Sequence, residues 1–121
     1  MQIFGKFRHV EIAKNDKWKD VMKSSPDNTV LAIHNHPSGL GLSTGDVMVF
    51  LENLALKMIS AVGNNGNIYI LKCSDTCNKL HVYDLILNKA KKLKDKYPNM
   101  KYDAIYYKIV QNILKKATNN W

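Results

Sequence analysis

Within fifteen residues, from Ala32 to Asp46, the chain reads AIHNHPSGLGLSTGD. Two histidines stand two apart at the end of an apolar run, Thr29-Val30-Leu31-Ala32-Ile33. On a strand, side chains at i and i+2 leave the same face, so His34 and His36 aim both imidazoles at one point. Two neutral imidazoles supply two of the three protein ligands of a catalytic zinc or other transition-metal site. The third must arrive from elsewhere in the chain, with a fourth position left for water. Asp46, in the first turn of the next helix, is placed to supply it. Pro37 ends the strand by withdrawing a ladder donor, and Gly39 and Gly41 allow backbone to come close to a ligand. An extended chain entering beside an exposed edge would bind by strand addition. The same residues also have plainer roles. Ser43-x-x-Asp46 can serve as a reciprocal helix cap, Asp46 suits a positive helix N-terminus, and an inward histidine is ordinarily a core residue. His-x-His, Pro and Ser-x-x-Asp together favour the metal reading. His9 and His81 lack such company and keep the plain one.

Several elements must position these groups. Met1 to Phe7 reads as a short strand ending near Arg8, with Val10 to Ile12 continuing it or forming another. Asn15 or Asp16 caps a helix to about Ser24, with Trp18, Val21 and Met22 on its inner face. Ser25-Pro26-Asp27-Asn28 is a turn. Thr29 to Ile33 reads as a central strand covered on both faces. Ser43 caps a helix from Thr44 to about Met58. Ile59 to Val62 and Asn67 to Lys72 form a hairpin about Gly63-Asn64-Asn65-Gly66. Two further helices, about Lys79 to Lys96 and Tyr102 to Ala117, are broken by Tyr97-Pro98-Asn99. This order predicts an α/β or α+β layered domain.

At 121 residues the chain reads as one domain. Residues 1–78 hold the motif and residues 79–121 form a basic helical extension packed on the same domain. The net charge of +8 is uneven: residues 79–121 carry 10 Lys against 3 Asp, a net of +7. Lysines alternating with apolar residues describe the solvated face of amphipathic helices, and secondarily a surface for nucleic acid or an acidic protein. No apolar run approaches the ~20 residues of a membrane span, and the start lacks the layout of a signal peptide. A cytoplasmic protein is the expectation. In a reducing cytosol Cys73 and Cys77 are expected as free thiols, and two thiols alone do not close a zinc site.

His34-Asn35-His36-Pro37, a short loop and Ser43-Thr44-Gly45-Asp46 resemble the JAMM signature, His-x-His-Pro-loop-Ser-x-x-Asp, of the JAB/MPN zinc metalloprotease fold. Asn35-His36-Pro37-Ser38-Gly39 looks most like the RadC branch. Similar segments occur in phage head-morphogenesis (MuF-like) proteins and toxins. The resemblance covers about residues 2–72 and implies a small mixed β-sheet flanked by helices, cytidine-deaminase-like, with the lysine-rich final third lying outside it. It implies zinc on His34, His36 and Asp46, with Ser43 hydrogen-bonding the metal-bound water or the oxyanion. A glutamate acts in the family as general base, and the reaction is hydrolysis of a peptide or isopeptide bond.

The sequence departs from that pattern in three places. The loop from His36 to Ser43 has six residues where seven are usual. Counting back three from Gly5, the family glutamate's place is taken by Gln2, which leaves Glu11 as the candidate base. Gly45 in the first helical turn costs up to ~1 kcal/mol of helix propensity. Two other functions compete. One is a non-catalytic phage or mobile-element assembly domain working through the basic helices. The other is a DNA-associated RadC-like protein whose tail meets phosphate and whose binding falls steeply with salt. The literal string His-Asn-His is no sign of an HNH nuclease, which spreads its residues over a longer ββα unit.

Overall fold

The computed structural model describes residues 16–36, 41–74 and 76–118. The strands expected over 1–7 and 10–12, the Pro37 stop and Gly39 lie outside them. An aspartate in the first turn, where it meets the positive end of the helix dipole, opens α1 (Asp16–Ser24). The i, i+3, i+4 spacing buries Trp18 and half-buries Val21 and Met22, as predicted. The chain then reverses through Pro26, whose carbonyl accepts the Thr29 hydroxyl at 2.7 Å. Asn28 takes φ 58°, the left-handed conformation that asparagine tolerates better than most residues.

Three strands follow, β1 (Val30–His36), β2 (Leu56–Gly63) and β3 (Ile68–Lys72), in the spatial order β1-β2-β3. β1 and β2 are parallel and joined through α2 (Thr44–Glu52), while β2 and β3 are antiparallel. The hairpin closes as the Asn-Gly pair predicts. Gly66 has φ 84° and its N–H donates to Gly63 O at 3.0 Å, and Asn65 Oδ1 accepts the Asn67 N–H at 3.1 Å. With four helices, the described residues form a mixed α/β architecture.

Two expectations about the helix and strand placement need correction. The helix predicted to reach Met58 stops at Glu52, and β2 begins at Leu56. Asn53 Nδ2 donates to Val49 O at 2.7 Å and so closes the helix end. The carbonyls of Leu54 and Ala55 accept from Asn28, Thr29 and Val30, which commits them to the turn into β2. The strand predicted as central is, among the described strands, at the edge of the sheet. Leu31 and Ile33 are 58% and 69% exposed, and the pattern along β1 strictly alternates. β2 holds the middle and is the continuously covered one, with Ile59, Ser60 and Ala61 all buried. Apolar composition alone does not separate a two-sided strand from one whose outer face is also apolar.

Beyond the sheet, α3 (Lys79–Lys96) and α4 (Tyr102–Thr118) match the predicted helices. Ile86 and Ala90 of α3 and Ile105, Ile109 and Val110 of α4 join Val47, Phe50, Leu51, Leu56 and Ile59 in one core. The basic extension therefore shares its core with the motif-bearing part of the chain, and Lys89, Lys91, Lys92 and Lys96 lie on the exposed side. Among the described residues no helix is long and apolar enough to cross a membrane. Cys73 and Cys77, expected as thiols, are joined by a disulfide. Their Cα atoms stand 5.3 Å apart, inside the range such a bridge spans.

Lys79 is buried at the start of α3 and ties it to the α2–β2 turn. Its ammonium donates to Asn53 O at 2.9 Å and to Leu56 O, and sits 4.0 Å from the Phe50 ring centroid. Burial pushes its pKa down from 10.5 to about 8, with the Asp27 charge opposing. Between those values the unfolded state binds more protons than the folded one, so stability rises with pH across that window. Relative to Lys79→Met, the parent should gain on the order of 2 kcal/mol between pH 8 and pH 10. Urea unfolding of both proteins at each pH measures this. A difference that is flat or falls with pH rejects it.

Candidate metal centre

The alternation of β1 sends Val30, Ala32, His34 and His36 to the face on which α2 packs. Ala61 and Gly63 are the register partners of His34 and His36 on β2, so little side chain competes for the space beside the imidazoles. α2 starts over this end of the sheet. The Ser43 hydroxyl accepts the Asp46 N–H at 3.1 Å, and the Ser43 N–H donates to Asp46 Oδ2 at 2.8 Å. The reciprocal cap is therefore formed, and the same carboxylate also meets both histidines. Asp46 Oδ1 lies 3.2 Å from His34 Nε2, and Oδ2 lies 3.3 Å from His36 Nε2. Asp46 thus forms the expected helix cap while its carboxylate stands beside both imidazoles.

The two Nε2 atoms are 2.8 Å apart, and the three side chains are 15%, 18% and 19% exposed in the order His34, His36, Asp46. One ligand atom from each falls within 4.8 Å of the others. His36 Nδ1 is 3.1 Å from Gly41 O. A carbonyl can only accept, so Nδ1 carries the proton and Nε2 presents its lone pair to the centre. Carbonyl-oriented imidazole is the usual arrangement behind a ligating histidine. Among the described residues His34 Nδ1 is buried with no hydrogen-bond partner. Leaving such an atom unpaired costs about 1–3 kcal/mol. Burial raises the pKa of Asp46, but hydrogen bonds from His34 and Ser43 and the His34 charge outweigh it and hold the carboxyl below its usual value. A nitrogen, nitrogen, carboxylate set whose atoms fall within 4.8 Å of one another suits zinc.

His36, Gly41 and Ser43 also line one end of a cavity of about 1410 Å³. Met48 and Glu52 of α2 continue it, Tyr69 of β3 forms one side, and Tyr83 of α3 and Tyr106 of α4 form the other. A Cβ placed on Gly41 would come 3.3 Å from the Tyr69 ring, so a larger residue there would require that ring to give by a few tenths of an ångström while the Gly41 carbonyl holds His36.

His34, His36, Asp46 and Ser43 are brought together as predicted. Glu11, the candidate base, lies outside the described residues, as does His9. His81 is exposed in the first turn of α3, and its N–H donates to the Asn78 cap at 3.1 Å. Sequence reasoning missed Gly41 O as the partner of His36, and Tyr69 as the wall beside it. Tyr69 was accessible in principle, because Tyr69 pairs with Ala61 and Ala61 with His34, which puts all three on one face. No protein-family model matches the chain, and neither do any curated proteins or solved structures.

Proposed function

We propose that the chain is a zinc-dependent hydrolase of the JAMM type, RadC-like in its motif, that cleaves a peptide or isopeptide bond. The observation that carries this reading is the convergence of His34 Nε2, His36 Nε2 and the Asp46 carboxylate, with His36 and Ser43 lining a large cavity. Zinc, when bound to these residues, acidifies water and polarises a carbonyl. The chain's own groups do the rest. Gly41 O fixes the His36 tautomer. Asp46 stays ionised at neutral pH, held so by His34 and Ser43 against its burial. Ser43 accepts from the Asp46 N–H, which leaves its own hydroxyl hydrogen to donate toward an oxyanion in the cleft. Glu11 is the proposed general base, a role worth about 10²–10⁴-fold in rate.

Metal content by plasma mass spectrometry and hydrolysis in ¹⁸O-labelled water test the two halves of the reading. The expected result is about one zinc per chain, with chelator-sensitive incorporation of ¹⁸O into new carboxyl termini of a mixed panel of peptides and lysine-linked isopeptides. Zinc without cleavage would overturn the hydrolase reading and favour a non-catalytic assembly role. Absence of zinc after loading would overturn the metal site itself.

A further inference from the structure

Resting on that hydrolase reading, we infer that the cleft beside the triad selects an extended peptide segment carrying a lysine or arginine flanked by apolar side chains. Its volume of about 1410 Å³ exceeds the roughly 300–1,000 Å³ of small-molecule pockets, which suits several residues of a chain. One side is β3, the strand whose pairing among the described residues is to β2 alone, and Ile68 and Ile70 on it are exposed large apolar residues. The opposite side is tyrosine-rich, with Tyr83 of α3 and Tyr106 and Tyr107 of α4. Tyrosine offers broad apolar contact with a polar tip, which favours recognition of a chain over burial of a small ligand.

Charge decides the class of peptide. The chain carries 18 Lys and Arg against 10 Asp and Glu, yet among the described residues no Lys or Arg lines this cleft, while Glu52 and Asp103 do. Among the described residues neither carboxylate is paired with a cation, and Glu52 Oε1 accepts only the Tyr83 hydroxyl, at 3.1 Å. The described lining of the cleft therefore opposes the sign of the chain's net charge. Much of it is built by α3 and α4, outside the part of the chain that bears the JAMM-like motif, so this preference is a property of these helices.

Fluorescence anisotropy of three labelled octapeptides tests the inference on the zinc-loaded full chain. One carries lysine between two leucines, one has glutamate for the lysine, and one has serines for the leucines. The lysine–leucine peptide should bind about tenfold more tightly than either other, a difference within reach of two ion pairs and apolar contact. General attraction to a chain of net charge +8 would favour the glutamate peptide instead, so it cannot imitate this result. Glu52→Gln with Asp103→Asn should abolish the preference for lysine over glutamate and leave zinc content unchanged. Should the double variant lose its circular dichroism, each single variant must reduce the preference, and an unchanged ratio in both overturns the inference. Equal binding of the three peptides by zinc-loaded parent overturns it too, while the hydrolase reading then stands on its zinc and ¹⁸O results. A lysine preference in a chain that takes up no zinc supports the cleft and overturns only the metal reading.

Discussion

Asp46→Ala should lower zinc affinity by more than about 100-fold, because even partners standing behind metal ligands are worth about 10–100-fold. It should also destabilise the fold by roughly 1–2 kcal/mol, since the Asp46 carboxylate accepts the Ser43 N–H in the cap of α2. One residue is asked to do two things, and a second variant separates them. Ser43→Ala removes the hydroxyl that accepts the Asp46 N–H at 3.1 Å. It should cost a similar ~1 kcal/mol but change zinc affinity far less, because the three ligand side chains remain. Competition against a chromophoric chelator gives the affinities, and urea unfolding of the metal-free proteins gives the stabilities. If Asp46→Ala holds zinc as the parent does, the carboxylate is a helix cap and nothing more.

The site was more legible in the sequence than the sheet was. His34 and His36 needed only the two-residue period of a strand, and Asp46 only the Ser-x-x-Asp start of a helix; both are local rules. The partner of His36 was not legible: Gly41 is expected to let backbone come close to a ligand, but a glycine carbonyl carries no side-chain signature that would point to His36. The end of α2 was misplaced for a related reason. Leu54, Ala55 and Met58 continue an apolar helical pattern, but Asn28, Thr29 and Val30 take the carbonyls of Leu54 and Ala55. That choice belongs to parallel pairing with residues more than twenty positions upstream, which local periodicity does not encode. The cleft has the same character. Glu52 and Tyr83 stand 31 residues apart in sequence and meet through one hydrogen bond, a contact between two helices that the pattern of neither one encodes.

Phe50→Ala should remove about 3–5 kcal/mol of stability, the usual cost of emptying a buried aromatic site. Phe50 is among the largest fully buried side chains, in a core shared by α2, β2, α3 and α4. The loss is a large fraction of the roughly 5–15 kcal/mol that holds a domain together, and for a chain of this size it lowers the melting temperature by on the order of 10–20 °C. It also takes away the ring beneath the Lys79 ammonium, so the tie between α3 and the α2–β2 turn weakens with it. Because α2 carries Phe50 in the core and Asp46 at its first turn, packing of that helix also places the Asp46 carboxylate. Zinc at about 100 times its Kd should then restore about 2.7 kcal/mol to Phe50→Ala, by binding the folded state alone. In Phe50→Ala/Asp46→Ala the same zinc concentration should restore almost nothing. Melting temperatures with and without zinc make the comparison, and equal rescue in both variants would mean that the ion acts somewhere other than at His34, His36 and Asp46.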